Sequence, residues 1–467
     1  MQEKLTINPK YLPISFNDEL KRKNNKNTFI TIILGLILTI LVSILIAIYI
    51  FIISPALSYH SCYNFGCFNP HRAELYAKVP EDNITIPKIL IKKLDLKRDN
   101  FRLVCYYNLP ADEHSNELQI NDLDPNLCTH LNVGFASIEN NTINFTKTNI
   151  EMTQRIINDL KGVNKDLKVL LSIGGSGSSG FNEMVKNHTT RKIFIQSTLN
   201  YIKSYKLDGI DLDWEFPNEI GINVKERTHF SQLLHEIRKE IDRQKKHKFL
   251  LTLAVAAPYF VALNAYDIGF INDQVDFVNV MTYDFHFYTK FTPFTGINSP
   301  LYSLPHDVGI FGTLNINYSI NFWVSQGMDK DKVVVGLPTY GHTYKLINQR
   351  NNGISAPAIG YGETGNNGFL DYSQVCEFMY KNKVIPNFDE VSKSPYATSG
   401  YEWISFDDTK SLTYKAEFIK NNNFGGAMIY CLNSDDYKNV CNAPFYGNKT
   451  KFPLVQTIRD VLINPEY

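Results

Sequence analysis

The chain has 467 residues and carries 47 basic and 47 acidic side chains, so its net charge is zero when histidine is neutral. This length suits one large domain with appendages. The balanced charge argues against the basic surface that is typical of nucleic-acid-binding proteins, so we expect no nucleic-acid partner.

The N-terminal segment predicts a membrane anchor. Residues 1–28 are polar, with a basic cluster at 21–26, and residues 29–53 contain no charged side chain. A helix of this length crosses a hydrocarbon core of about 30 Å. A cleaved signal peptide is the alternative, but its apolar core is only about 7–15 residues long. Because the basic cluster precedes the span, we expect a type II topology, with a cytoplasmic N-terminus and a lumenal or extracellular main domain.

The segment after the span is consistent with that topology. Residues 54–98 resemble a stalk, in which Cys62 and Cys67, flanked by His60 and His71, have a loose zinc-like spacing. A local Cys62–Cys67 disulfide, or a bridge between two chains, is the favoured interpretation, because thiols usually oxidise on that side of the membrane. Sequons for N-glycosylation occur only after the span, at Asn83, Asn140, Asn144, Asn187, Asn317 and Asn448.

From Phe101 onward, short apolar runs alternate with helical stretches. The eight runs are 103–107, 131–136, 168–173, 209–214, 249–255, 277–281, 333–337 and 427–431. Eight strands that alternate with helices predict an α/β fold, the parallel (β/α)8 TIM barrel. The turn-rich segment 343–406 is too long for a loop, so we expect a small inserted domain between barrel residues 99–342 and 407–467.

The stretch 207–217 carries the strongest chemical signal. In a strand, side chains alternate between faces, so Asp211, Asp213 and Glu215 share one face and apolar side chains occupy the other. Crowded carboxylates raise one another's pKa, which is a usual way to keep one of them protonated near neutral pH. Glu215 comes last, at the carboxyl end of the strand, where parallel barrels have their active sites.

Three interpretations compete for this stretch. The first is an edge strand with a solvated acidic face. The second is a calcium loop, although the turn glycine and the distant bidentate glutamate of such loops are missing. The third, which we favour, is glycoside chemistry by paired carboxylates.

The segment from Asp208 to Glu215 matches the Asp-x-x-Asp-x-Asp-x-Glu signature of family 18 glycoside hydrolases, the chitinases and chitinase-like lectins. The resemblance covers roughly residues 101–462, and it implies that the inserted domain is of the α+β type. It also implies two disulfides, Cys105–Cys128 and Cys376–Cys441, with Cys431 left as a buried thiol. Further motifs that resemble the family lie at 104–107, 171–175, 281–286, 336–341 and 425–428.

The resemblance implies a role for each matching residue and no cofactor or metal. Glu215 is the general acid and base, Asp213 orients the substrate's acetamido group, Asp211 shares a proton with Asp213, and Tyr283 bonds the acetamido oxygen. Ordinary packing at a strand end is the alternative for Tyr283 and Asp284. The implied substrate-binding residues are Asp284, Met281, Tyr430, Tyr107, Tyr340 and His342, and Asp208 and Gly209 are structural in the motif.

Four positions in the expected cleft differ from the family pattern. Ser176 and Tyr430 replace tryptophans, His342 replaces an arginine, and Phe287 replaces a glycine. We therefore carry two hypotheses. The chain is either a chitinase-like hydrolase of β-1,4-linked N-acetylglucosamine polymers or oligomers, or a membrane-anchored lectin that binds chito-oligosaccharides with little or no turnover.

Overall fold

The computed structural model describes residues 101–110, 117–218, 221–244, 248–442 and 451–463. The predicted tail, span and stalk, with Cys62 and Cys67, lie outside these ranges, as do the sequons Asn83 and Asn448. Among the described residues, none of the helices combines the length and the apolar character that a membrane crossing requires.

Eight parallel strands close into a barrel, which confirms the predicted core. Numbered in chain order, the strands of the described residues are β1 (Arg102–Asn108), β2 (His130–Glu139), β3 (Thr142–Asn144), β4 (Lys168–Gly174), β5 (Gly209–Asp213), β6 (Leu250–Ala256), β7 (Phe277–Met281), β8 (Val333–Pro338), β9 (Tyr340–Leu346), β10 (Ala358–Gly360), β11 (Phe369–Asp371), β12 (Asn387–Asp389), β13 (Ser394–Ser399), β14 (Glu402–Ser405) and β15 (Gly426–Tyr430). The barrel order is β1-β2-β4-β5-β6-β7-β8-β15, and β15 pairs with β1 to close it. Each of the eight apolar runs in the sequence became one of these barrel strands.

Helices with an apolar face lie around the barrel, except that α8 contacts strands β9 and β11 of the second sheet. They are α1 (Lys147–Arg155), α2 (Phe181–Val185), α3 (His188–Tyr205), α4 (Val224–Arg243), α5 (Tyr259–Ala265), α6 (Ile268–Gln274), α7 (Ile316–Ser325), α8 (Tyr372–Asn382), α9 (Thr409–Asn421) and α10 (Pro453–Leu462). In α4, the buried apolar side chains Phe230, Leu233, Leu234, Ile237 and Ile241 recur at helical spacing. They cover the outer surface of the barrel as part of the main hydrophobic core.

A second sheet lies in the chain between β8 and β15. It has the order β10-β9-β14-β13-β12, with β11 also paired to β9, and its pairings are antiparallel. Strand β9 begins at Tyr340, only two residues after β8 ends. The end of a barrel strand is therefore joined directly to this sheet, and side chains early in β9 lie close to the carboxyl edge of the barrel.

Two disulfides have the pairing that the family resemblance implies. Cys105 is bonded to Cys128, and Cys376 is bonded to Cys441. Cys431 is a free, buried thiol directly after β15, and burial raises its pKa to about 11. It behaves as a small apolar side chain rather than as a reactive group.

The acidic strand is shorter than the sequence pattern predicts. Strand β5 ends at Asp213, so Glu215 lies two residues beyond it. The neighbouring strand β4 ends at Gly174, which is the residue paired with Asp213. On this side no strand continues beyond Gly174, and the pairing of β5 with β6 also ends at Asp213, so the chain leaves the sheet there. The alternation of faces nevertheless holds within the strand, because Ile210 and Leu212 join the outer core.

Candidate active site

Asp211 is the centre of a buried polar network inside the barrel. Its Oδ2 accepts hydrogen bonds from the hydroxyls of Tyr106 (2.6 Å) and Ser172 (3.0 Å). Its Oδ1 accepts from the hydroxyl of Thr252 (2.6 Å) and from Nδ2 of Asn279 (3.1 Å). Burial raises the pKa of Asp211, and these four donors oppose that shift. Because protein donors occupy both of its oxygens, neither the solvated acidic face nor the calcium loop describes this carboxylate.

Asp213 lies one pleat further along the same face, and its surroundings are very different. Its side chain is 3% exposed, and Oδ1 is buried with no hydrogen-bond partner among the described residues. Burial raises its pKa well above the ordinary value, and the charges of Glu215 and Asp211 add to the effect. Glu215 is half-buried. Three carboxylates therefore lie close together. Asp211 accepts hydrogen bonds on both of its oxygens, whereas Asp213 has one oxygen available.

The glycines after β4 hold the backbone of Asp213 in place. The amide of Gly175 donates to the Asp213 carbonyl oxygen at 2.9 Å. A Cβ atom on Gly174 would lie only 2.0 Å from that oxygen, and Gly174 has a φ of +117°. Only glycine fits this left-handed, closely packed position. The Ser-x-Gly-Gly sequence of β4 thus supplies both a donor to Asp211, through Ser172, and the support for Asp213.

A ring of aromatic side chains encloses the mouth of the barrel. Tyr283, Tyr340, Tyr430 and Met281 belong to one cluster there, together with Tyr106. The Tyr283 and Tyr430 rings are stacked with centroids 5.8 Å apart, and Tyr430 is also 5.6 Å from Tyr106. The structure thus brings four of the predicted site residues together. It adds Tyr106, which contacts both Asp211 and Tyr430.

Tyr107 is not part of this cluster, which corrects its assignment to the cleft. It is fully buried in the outer core, and its hydroxyl donates to the carbonyl oxygen of Leu118 at 2.9 Å. The reason is strand alternation. Cys105 points outward to its disulfide partner Cys128, so Tyr107 also points outward, whereas Tyr106 points into the barrel.

The other partners of Asp211 are Ser172, Thr252 and Asn279, of which only Ser172 lies in a motif that the family resemblance identified. All three are completely buried, and each is a polar residue among apolar side chains in the middle of its strand. Such a residue in a buried parallel strand is the signal that could have identified them, because both faces of these strands are normally apolar.

Asp284 forms a second polar centre directly after β7. Its Oδ1 accepts from the Tyr340 hydroxyl (2.6 Å) and lies 2.7 Å from Nε2 of His342. Asp284 has a φ of +56°, and the side-chain oxygen of Asn298 accepts its backbone amide at 2.8 Å. A left-handed conformation at a residue other than glycine is strained and is frequent at functional sites. The Asp284 side chain is 48% exposed, so strand-end packing alone does not explain it.

Asp208 and Gly209 lie at the start of β5, away from the carboxylates. Asp208 accepts from the ammonium group of Lys161 and from the backbone amide of Val169, so it ties β5 to β4 and to the turn after α1. Gly209 lies against β6, where a Cβ atom would be 2.3 Å from the Leu250 carbonyl oxygen. Both residues support the strand rather than contact the cleft.

The positions that differ from the family pattern lie at the carboxyl edge of the barrel or beside it. Ser176 is exposed in the loop after β4, and Phe287 is exposed after β7 with its ring 5.7 Å from that of His342. His342 lies next to Asp284 at the position where the family pattern has an arginine. Compared with the family pattern, the three carboxylates and the residues that support them are therefore retained, and the side chains around them differ.

This arrangement can carry out acid–base chemistry on a neutral polar substrate. A half-buried glutamate is placed next to a carboxylate whose ionisation is disfavoured, and such pairs are a common way of dividing acid and base roles. The surrounding aromatic rings offer flat apolar surfaces, whereas Asp284 and His342 offer hydrogen bonds at the rim.

Comparisons with known proteins agree with the site. The family model of glycosyl hydrolases family 18 matches residues 102–435. Human chitinase-3-like protein 2 is 37% identical over 371 residues, which is 77% of this chain and 92% of that protein. Two solved structures each cover 78% of this chain and 100% of their own chain. One is human YKL-39, described as a pseudo-chitinase with retained chitooligosaccharide binding (35% identity, TM-score 0.71), and the other is an immunomodulatory active chitinase from Trichuris suis (31% identity, TM-score 0.72).

Proposed function

The chain belongs to glycosyl hydrolases family 18, and on that premise we propose that it hydrolyses β-1,4-linked N-acetylglucosamine polymers or oligomers with retention of configuration. The observation that carries this proposal is the group Asp211, Asp213 and Glu215. These are the last three of the four carboxylates in the family motif, and they converge at the carboxyl end of β5.

In the proposed reaction the substrate's own N-acetyl oxygen is the nucleophile, as in this family. Glu215 protonates the glycosidic oxygen while the acetamido oxygen attacks the anomeric carbon and the glycosidic bond breaks. Asp213 accepts the acetamido N–H on its unpaired Oδ1 and stabilises the positive cyclic intermediate. Glu215 then takes a proton from water, which attacks the anomeric carbon and reopens the ring. Asp211, fixed by its four donors, keeps Asp213 in position, and Tyr283 bonds the acetamido oxygen.

Turnover tests this function directly. We expect the full-length protein to release the fluorophore from a fluorogenic chito-oligosaccharide, and Glu215→Gln to abolish release because the amide cannot donate the required proton. Because glutamine has the same size and shape as glutamate, the variant should fold as the wild type does, and a loss of activity then reports on the missing acid. Equal rates for the two proteins across acidic and neutral pH would contradict the proposal.

A lectin with little or no turnover is the second candidate. It is supported by the altered rim, in which Ser176, His342 and Tyr430 stand where the family pattern has other residues. It is also consistent with the likeness to a pseudo-chitinase described as retaining chitooligosaccharide binding. Under this hypothesis, calorimetry detects chito-oligosaccharide binding to both wild type and Glu215→Gln, while neither releases product. Absence of binding would exclude the lectin, and turnover by the wild type alone would favour the enzyme.

We also propose the chain layout that the sequence predicts. A cytoplasmic tail (1–28) precedes a signal anchor (29–53) and a stalk (54–98), and the barrel (99–342 and 407–467) contains the inserted domain (343–406). Exposed sequon asparagines at Asn140, Asn144 and Asn187 are accessible to glycosylation. Enzymatic removal of N-glycans from the expressed protein should lower its apparent mass. Protease added to intact membrane vesicles, in which the main domain lies inside, should remove only the short tail. Digestion of the main domain in such vesicles would refute this topology.

A further inference from the structure

The loop after β7 exposes an unusual amount of aromatic surface. In the segment 286–296, which we call the phenylalanine loop, Phe287 is 43% exposed, Phe291 is 96% exposed and Phe294 is 52% exposed. Single exposed apolar side chains are normal on protein surfaces. Three phenylalanines within eight consecutive residues form a concentration of apolar surface that calls for a binding explanation.

Hydrogen bonds hold this loop firmly on the second sheet. The Tyr288 hydroxyl donates to the Ile359 carbonyl oxygen (3.0 Å), and its ring lies 5.5 Å from that of Tyr361. At the other end of the loop, the Ala358 amide donates to the Pro293 carbonyl oxygen (2.9 Å). Both ends are thus tied to strand β10 and its neighbours. The loop therefore presents its aromatic side chains from a fixed frame.

Of the three phenylalanines, Phe287 is the one that continues the candidate cleft. Its ring centroid is 5.7 Å from that of His342, and His342 Nε2 is 2.7 Å from the Asp284 carboxylate. Asp284 directly follows Tyr283, which stacks on Tyr430 at the barrel mouth. A continuous row thus runs from the carboxylates, through Asp284 and His342, to an exposed phenyl ring.

We propose that Phe287 extends the substrate-binding positions Asp284 and His342 into a subsite for one further N-acetylglucosamine unit of a bound oligosaccharide. The apolar C–H face of a pyranose covers an aromatic ring, and the hydroxyls at its edge bond to the adjacent carboxylate and imidazole. The inference rests on the proposed glycan-binding function of the cleft. It adds that this protein distinguishes long oligosaccharides from short ones through a side chain of its own.

The test uses the full-length protein carrying Glu215→Gln, so that hydrolysis does not deplete the ligand. Binding of N-acetylglucosamine oligomers from the disaccharide to the hexasaccharide is measured by calorimetry with and without Phe287→Ala. We expect the loss of the ring to weaken binding of the longer oligomers by about 2- to 12-fold. The short oligomers, which end before the ring, keep their affinity. Phe287→Trp should restore or exceed the original affinity.

Phe291→Ala is the matched control, because it removes the same side chain from the same loop at an almost fully exposed position. It should bind every oligomer as the parent does. An equal loss of affinity in the two alanine variants, or an unchanged affinity of Phe287→Ala for the longest oligomer, would refute the subsite. The exposed ring would then be better explained as a contact for an apolar partner. If the parent binds no oligomer at all, then it is the proposed function that fails.

Discussion

The two buried aspartates of β5 lead to opposite expectations for the same substitution. Asp213→Asn removes a carboxylate whose pKa in the folded chain is well above its ordinary value because of burial and of the charges of Glu215 and Asp211. Asp211→Asn replaces one of the two oxygens that together accept four hydrogen bonds. We expect Asp213→Asn to abolish turnover but to stabilise the fold, whereas Asp211→Asn destabilises it.

The sign follows from proton linkage. At low pH, Asp213 is protonated in both the folded and the unfolded chain, so it has no pH-dependent effect on stability. Above about pH 4, the unfolded carboxylate ionises while the folded one still holds its proton, and stability falls by up to about 1.4 kcal/mol per pH unit until the folded pKa is passed. An asparagine does not titrate, so the advantage of Asp213→Asn should grow with pH over this range.

Thermal unfolding of the full-length protein at a series of pH values measures this effect. The difference between Asp213→Asn and wild type should be smallest near pH 4 and widen as the pH rises. In the Glu215→Gln background the gain should be smaller, because part of the charge repulsion has already been removed. For Asp211→Asn, we expect a loss of about 1–3 kcal/mol, because an amide nitrogen cannot accept from the buried hydroxyls that it faces. A pH-independent difference for Asp213→Asn would refute the reasoning.

Three further predictions concern the fold and the rim of the cleft. Gly209→Ala should lower the free energy of unfolding by about 1–3 kcal/mol, because its Cβ would lie 2.3 Å from the Leu250 carbonyl oxygen. A denaturant titration measures this change, and unchanged stability would contradict the close packing. Replacing both Cys376 and Cys441 by serine opens a link between residues 65 positions apart and should cost about 2–5 kcal/mol, seen as a lower unfolding midpoint that reductant no longer shifts. His342→Ala removes a partner of Asp284 and should weaken oligosaccharide binding about tenfold in a calorimetric titration. His342→Gln should have an intermediate affinity. Wild-type affinity in both variants would exclude a role for the contact between His342 and Asp284.

The sequence was sufficient for the barrel because its signals are local. Each apolar run is long enough to be a buried strand and is separated from the next by a helical pattern, so the eight strands could be counted without any knowledge of their pairing. The same held for the shared face of Asp211 and Asp213, since alternation depends only on the positions of residues within one strand. It did not hold for the end of β5, because the strand ends where its pairing with β4 and β6 ends, and that pairing depends on segments far away in the chain.

By itself, then, the sequence determined the family motif, the order of the barrel strands, and the residues to which we assign the acid–base chemistry. Only the tertiary structure showed that Tyr106, rather than Tyr107, faces the site, that Ser172, Thr252 and Asn279 hold Asp211, and that Asn298 holds the strained backbone of Asp284. The physical reason is that these contacts join strands and loops far apart in the chain. Closure of the barrel brings them together. Burial raises the pKa of both Asp211 and Asp213, but only Asp211 has hydrogen-bond donors that oppose the shift.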